Sequence, residues 1–260
     1  MSRPLNIEKI VPMDKIGSYQ VYLEKAAVVF DGFKALDIEE FGVYHNELRV
    51  IIGPNGAGKT TLCDVISGRT PLTSGHVYVD SVDIGRACEV EIAGMGVGRK
   101  FQTPTVFDSL TVWENMDLAL PRAKSVFPNV WCRKTKDEKE KIIGLLERVG
   151  LAAEMATQAK YLGHGQRQWL ALSMLILAEP KLLLVDEPAA GLTDKETEMT
   201  AELLLQLKGQ HTIMVIEHDM EFVRRLNSYV TVMNEGKILA EGRLEELRQN
   251  DEVVQAYLGR

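Results

Sequence analysis

Residues 48–52 form a short apolar run that leads straight into Gly53-Pro54-Asn55-Gly56-Ala57-Gly58-Lys59-Thr60, and residues 60–67 then read as a helix. No other segment restricts the fold so tightly. The pattern G-x-x-x-x-G-K-S/T belongs between a buried strand and the first turn of a helix, so it demands an α/β core. Its glycines let backbone N–H groups converge on phosphate oxygens, Lys59 brings a point charge to the β and γ phosphates, and the Thr60 hydroxyl suits Mg2+. A second apolar run, Leu182-Leu183-Leu184-Val185, ends in Asp186-Glu187-Pro188. A strand that delivers a carboxylate beside a phosphate loop can hold Mg2+ through its water shell. Asp186 takes that role, and Glu187 is placed to accept a proton from an attacking water.

The remaining pattern fits a parallel sheet with an insertion. Strands are expected over residues 21–30, 33–38 after the Asp31-Gly32 turn, 75–79, 182–185, 212–216 and 229–233. Asn234-Glu235-Gly236 turns the chain into residues 237–240 as a terminal hairpin. Between 103 and 165 strand signals are few. The clearest element there is an amphipathic helix from Asp137, capped by Thr135, with Ile142, Leu145, Leu146 and Val149 at i, i+3, i+4 and i+7. A further helix is expected over 166–177.

Composition excludes several functions. With 45% hydrophobic and 26% charged residues among 260, the chain can bury a core without covalent staples. A formal charge of -7 argues against a nucleic-acid partner, whose phosphates are gripped by Lys and Arg. The longest nearly apolar run, residues 169–178, falls well short of the about 20 needed to cross a bilayer. Residues 1–20 carry Arg3, Glu8, Lys9, Asp14 and Lys15 and no apolar stretch, so a secretory signal is not expected. Cys63, Cys88 and Cys132 lack metal-type spacing and are expected as free thiols. His45, His76 and His211 are expected at the surface or in turns, and Trp113, Phe107 and Phe127 in packing.

These motifs, in this order, resemble the ATP-binding subunits of ABC transporters over residues 21–260. The resemblance implies an α/β fold: a P-loop NTPase (RecA-like) core with an antiparallel β sub-domain and an inserted helical sub-domain. The core would comprise 21–102 and 166–260, the helical part 103–165, and residues 1–20 an N-terminal extension. ATP and Mg2+ are the implied ligands. Gly53, Pro54, Asn55, Gly56, Ala57, Gly58, Lys59, Thr60 and Thr61 would hold the phosphates, Phe30 would stack on adenine, and Thr60, Gln102 and Asp186 would surround the metal. Glu187, His218, Lys59 and Gln102 form the implied catalytic set. Gln102 lies in Arg99-Lys100-Phe101-Gln102-Thr103-Pro104, matching the Q-loop, and His218, in Glu217-His218-Asp219, matches the switch histidine. Leu162-Gly163-His164-Gly165-Gln166 resembles the family's L-S-G-G-Q signature, which caps the γ-phosphate held by a second subunit. Ala190-Gly191-Leu192-Thr193 corresponds to the D-loop.

Two departures from the family pattern narrow the reading. Gly163 stands where serine is expected, which removes a hydroxyl donor from the signature. The preferred account is pairing with a different ATPase subunit, because Lys59, Asp186, Glu187, Gln102 and His218 are all present; tolerance at both sites and a hydrolysis-poor chain are the alternatives. Thr193 replaces the common aspartate, as in importers of branched-chain amino acids and of urea or short amides. His164, residues 101–107 and Trp113-Glu114-Asn115 suggest the same subgroup, while Ala256-Tyr257-Leu258-Gly259-Arg260 and residues 165–170 look most like the urea importer's ATPase. The expected function is therefore the ATP-hydrolysing motor of an importer for urea or short amides; a branched-chain amino acid importer ATPase and a lipid-export ATPase are the alternatives. The implied partners are a second ATPase subunit, two transmembrane permease subunits and, indirectly, a periplasmic solute-binding protein. The implied location is the cytoplasmic face of the inner membrane.

Overall fold

Alternation between apolar and polar residues opens the fold as a hairpin, β1 (Tyr19–Phe30) and β2 (Phe33–Tyr44), joined by the Asp31-Gly32 turn. The computed structural model describes residues 16–100, 105–121 and 135–258. β2 continues past its expected end at residue 38 because Phe41 and Val43 are buried, although Glu39 and Glu40 interrupt the apolar pattern. The apolar run β3 (Leu48–Ile52) feeds the glycine-rich loop and then α1 (Lys59–Ile66), followed by β4 (Ser74–Val79), β5 (Val82–Asp83), α2 (Glu89–Gly94) and β6 (Val97–Lys100). α3 (Val112–Ala119) and α4 (Lys136–Arg148) occupy the segment without strand signals. α5 (His164–Leu177) leads to β7 (Leu182–Asp186), α6 (Asp194–Leu207) to β8 (Thr212–Ile216), and α7 (Met220–Leu226) to β9 (Tyr229–Asn234). β10 (Lys237–Arg243) and the short α8 (Leu244–Leu247) and α9 (Asp251–Val253) follow.

The strands form two sheets. An antiparallel one has the order β2-β1-β4-β5, and a six-stranded one has the order β10-β9-β3-β8-β7-β6. In the larger sheet β9, β3, β8, β7 and β6 are parallel, and only β10 runs the other way. Its central strands read as continuous apolar runs because both faces are covered. Leu183, Val185, Ile213 and Val215 pack toward the helices with Trp169, Leu146 and Leu204. Their neighbours Leu182, Leu184, Met214 and Ile216 pack toward α1 and the antiparallel sheet with Leu62, Ile66 and Leu36. Successive side chains leaving opposite faces of a strand account for the split.

One buried cation joins the two sheets. Arg49 of β3, 3% exposed, is bonded to Glu47 (2.6 Å), to Glu241 of β10, to Thr231 of β9 and to the carbonyl of Gly42 in β2. Its guanidinium also lies 4.6 Å from the Tyr229 ring centre.

Several helices begin at reciprocal caps. Thr111, Thr135 and Thr193 each accept the backbone N–H three residues on, while Glu114, Glu138 and Glu196 accept the threonine's own N–H. Thr135 caps its helix as the sequence predicts; α3 and α6, which open on the same T-x-x-E spacing, add to the predicted elements. α5 starts at His164, two residues ahead of the expected Gln166. Among the described residues no helix is long and apolar enough to cross a membrane. Phe107 departs from the expected packing role, with its side chain 54% exposed. His45, His76 and His211 each bond a turn or strand-end partner, as expected: Gln20, Asp83 and the Pro180 carbonyl. Phe127 and Cys132 lie outside the described residues.

Candidate active site

The C-terminal ends of β3, β7 and β8, adjacent in the large sheet, bring the phosphate loop, Asp186-Glu187 and His218 to one edge. Ligands bind there in open parallel sheets, outside the carboxyl ends of the strands. The loop needs glycine at two points for reasons of space. At Gly53 (φ +153°) a Cβ would lie 2.2 Å from the Met233 carbonyl oxygen, and at Gly58 (φ +96°) it would lie 2.7 Å from that of Ala35. The turn between β9 and β10 grips the same loop: the Gly236 N–H donates to the Ala57 carbonyl (3.0 Å), and the Gly236 carbonyl accepts from the Asp37 N–H (2.8 Å). Ala35 lies just beyond the β1–β2 tip, where Phe30 pairs with Phe33 and is half exposed. Phe30 therefore presents an open ring on the hairpin that touches the loop.

α1 begins at Lys59, one residue before its expected start, and Thr60 and Thr61 occupy its first turn with their N–H groups at the positively polarised helix end. The Lys59 ammonium is almost buried and donates to the carbonyls of Gly53 (2.8 Å) and Pro54 (2.9 Å). Burial lowers its pKa, while the nearby charges of Glu187 and Asp186 hold it up. Asp186, 9% exposed, is the last residue of β7. Burial raises its carboxyl pKa, and the Arg99 cation opposes the rise. A buried carboxylate and a threonine hydroxyl are hard oxygen donors of the kind Mg2+ takes, so these residues fit that ion.

Glu187 adopts a left-handed backbone, φ +43°, uncommon for a residue with a Cβ. Its N–H donates to the Ile216 carbonyl (3.0 Å) and its own carbonyl accepts from Ala190 (3.2 Å), so the strained residue is held on both sides. The His218 Nδ1 lies 3.4 Å from Glu187 Oε1. Thus Lys59, Asp186, Glu187 and His218 form one constellation. Gln102 lies outside the described residues.

The signature and D-loop counterparts pack on each other. Gly163 ends the approach to α5 with φ −62° and ψ 164°, and its N–H donates to Gln166 Oε1 (2.9 Å). Leu162 and Gly165 are buried, while Gly163 and His164 face outward. A Cβ on Gly191 would lie 3.2 Å from His164 Nε2, and one on Gly165 would lie 2.3 Å from Glu196 Oε1. Glu196 is the carboxylate that accepts both the N–H (2.9 Å) and the hydroxyl (2.8 Å) of Thr193. Thr193, expected only as a D-loop variant, is therefore also the cap of α6; Ala190 and Leu192 fill the turn between Glu187 and that cap.

Three neighbours, Arg99, Lys100 and Glu217, have no role predicted from the sequence. Arg99 of β6 bonds Asp64 and Ser67 of the α1 region, tying the phosphate-loop helix to the sheet edge. Lys100, 4% exposed, has its pKa lowered by burial to about 8, with Asp186 the largest opposing charge. Glu217, 1% exposed, directly precedes His218. Glu217 follows the apolar run of β8, whereas Arg99 and Lys100 sit in a strand with no apolar run to mark it.

Comparison with known proteins agrees with this geometry. The model of the family described as ABC transporter matches residues 36–190. The high-affinity branched-chain amino acid transport ATP-binding protein LivG of Escherichia coli (strain K12) is 34% identical over 239 residues, covering 88% of this chain and 94% of its own. BraF of Pseudomonas aeruginosa, described in the same words, has the same identity and coverage. Among solved structures, a nucleotide-free ATP-binding cassette from an ABC transporter superimposes with a TM-score of 0.79 at 30% identity, covering 93% of this chain and all of its own. The chain belongs to the ABC transporter family, as an ATP-binding subunit with ATPase activity.

Proposed function

We propose that the chain is the ATP-hydrolysing motor subunit of an importer of branched-chain amino acids. The observation that carries the reading is the meeting of the phosphate loop, Asp186, Glu187 and His218 at adjacent strand ends, with His218 Nδ1 3.4 Å from Glu187 Oε1. Gly53 to Thr61 bind the ATP phosphates and Phe30 stacks on the adenine. Thr60 and Asp186, with Gln102, would hold Mg2+, which when bound neutralises charge on the β- and γ-oxygens. Glu187 accepts the proton of the attacking water, and His218 and Lys59 stabilise charge at the γ-phosphate. The Lys59 ammonium must exchange the Gly53 and Pro54 carbonyls for phosphate oxygens, which compensate a buried cation better.

A second ATPase subunit, head to tail, would supply its signature to this site. Leu162, Gly163, His164, Gly165 and Gln166 would do the same for the partner's ATP. Two permease subunits would dock on the helical part (103–165), where Phe107 and Tyr161 are exposed, and a periplasmic solute-binding protein would act through them. No nucleic acid is involved, and the subunit sits on the cytoplasmic face of the membrane. Relatives named for branched-chain amino acid transport, aligned over most of the chain, favour that cargo over the urea or short-amide cargo suggested by residues 165–170 and 256–260.

Deletion of the gene should abolish uptake of labelled leucine and leave urea uptake unchanged; the reverse result restores the urea reading. In the purified chain, Glu187→Gln should retain ATP binding and lose phosphate release. Normal release would refute the assignment of the base.

A further inference from the structure

Beyond β7 and β8 the backbone ladder runs out. Its last rungs are Glu187 N–H to Ile216 carbonyl (3.0 Å) and Glu217 N–H to Ile51 carbonyl (3.1 Å). The next connection is a side chain. Glu217 Oε1 accepts the Ala189 N–H (3.0 Å), and Oε2 accepts those of His218 (2.9 Å) and Asp219 (3.2 Å). Three backbone donors from two chain segments thus converge on a carboxylate that is 1% exposed. Burial raises its pKa, and these three N–H groups oppose the rise. Burying an ionisable group is unfavourable unless its bonds compensate, and an apolar side chain would fill the space without that difficulty. The bonds fix positions instead: Ala189 lies two residues past Glu187, and His218 and Asp219 open the segment that becomes α7.

We propose that Glu217 is a positioning residue for ATP hydrolysis: its carboxylate locks the segment after Glu187 to the segment bearing His218, and so sets the approach of His218 to Glu187. The inference rests on the roles given above to Glu187 and His218. Removing the lock leaves phosphate binding alone, since the loop at 53–61 makes none of these three bonds. It frees the two reacting side chains to drift, and misplacement by about 1 Å can lower a rate about a hundredfold.

The test uses the full-length chain with Mg-ATP, with single-turnover rates normalised to the fraction that binds a fluorescent ATP analogue, so that unfolded protein does not count. Glu217→Gln keeps size and one acceptor but turns an amide donor toward backbone donors. It should lower kcat about tenfold or more while the KM for ATP changes less than twofold. Glu217→Ala should give the same split, and serves if the glutamine variant folds poorly. In a His218→Ala background, Glu217→Gln should add less than twofold, because the approach of His218 to Glu187 that it sets no longer exists. Wild-type kcat in Glu217→Gln, or an equal loss in both backgrounds, overturns the proposal. Glu187→Gln and His218→Ala alone report on the underlying site: full activity in either removes the roles on which the inference depends. Their inactivity beside a fully active Glu217→Gln rejects the positioning role and leaves the site intact.

Discussion

Replacing Gly163 by serine separates two consequences of one hydroxyl. Gly163 has backbone angles that any residue adopts, and a Cβ there would meet nothing nearer than Gln166 Oε1 at 3.6 Å. Serine therefore fits without strain. Its N–H already donates to Gln166 Oε1 (2.9 Å), so the new hydroxyl, accepting the Gln166 N–H, would complete a reciprocal cap. Serine over glycine at a cap is worth a few tenths of a kcal/mol, and the stiffer unfolded chain adds about 0.4–1 kcal/mol. Together they should raise Tm by about 1–4 °C in a chain of this size. The second consequence requires the assembled pair, where a donor aimed at a charged phosphate should raise turnover about ten- to a hundredfold. The assays are thermal unfolding of the isolated chain and steady-state phosphate release by the assembled transporter. A raised Tm with unchanged turnover would refute the idea that the missing hydroxyl limits hydrolysis. A lowered Tm would refute the claim that the site accepts serine.

Arg49→Met should destabilise the chain by about 2–4 kcal/mol in urea unfolding, since it strands Glu47 and Glu241, the latter a third exposed. ATP affinity should hold, because Arg49 sits at the far end of β3 from the loop; a loss under 0.5 kcal/mol would mean that the clasp is worth no more than a surface pair. Gly165→Ala should displace Glu196 from Thr193, lower stability by about 1 kcal/mol, and slow the assembled ATPase while single-chain ATP binding persists. Adding Glu196→Ala should relieve the clash, and a worse double variant would disprove that contact. Burial pushes the Cys63 thiol up to about 12 from the usual 9.0. The unfolded chain then releases its proton first, so stability should fall as pH rises between those values, and Cys63→Ala should flatten the slope. Native protein should accordingly label with a thiol reagent at exposed Cys88 and not at Cys63; rapid reaction at Cys63 would contradict its burial.

Much of the site was legible because its parts are local. The phosphate loop, Asp186-Glu187 and His218 each follow an apolar run, and a parallel sheet puts such ends on one edge, where the adjacency of β3, β8 and β7 brings them together. The Thr135 cap was equally local. What stayed hidden depends on contacts distant in sequence. The short strand β6, residues Val97 to Lys100, has Gly98, Arg99 and Lys100 in place of an apolar run, because it lies at the sheet edge and carries charge toward Asp186. Glu217 is indistinguishable from a solvated glutamate until Ala189 is folded against it. α3 and α6 carry a local signal too, the T-x-x-E spacing of Thr111 with Glu114 and of Thr193 with Glu196. Thr193 shows the overlap of roles: a position compared with aspartate in relatives is, in this chain, a helix cap.

The place of β3 in the large sheet bears on how the protein is made. Ile51, two residues before the loop, pairs with Ile216 of β8 on one side and Thr231 of β9 on the other, and the Ala57 carbonyl is bonded by Gly236. At about 5–20 residues per second, roughly 10–40 s of synthesis separate the loop from the strands that enclose it. Throughout that interval an apolar strand waits without partners on the nascent chain. Nucleotide capture is thus one of the last properties the polypeptide acquires, and a ribosome-bound fragment ending before residue 236 should fail to retain ATP. Chaperone engagement should fall mainly on Leu48 to Ile52 during this window, which makes the nucleotide-binding edge the point where biosynthesis is most exposed to heat or to slowed translation.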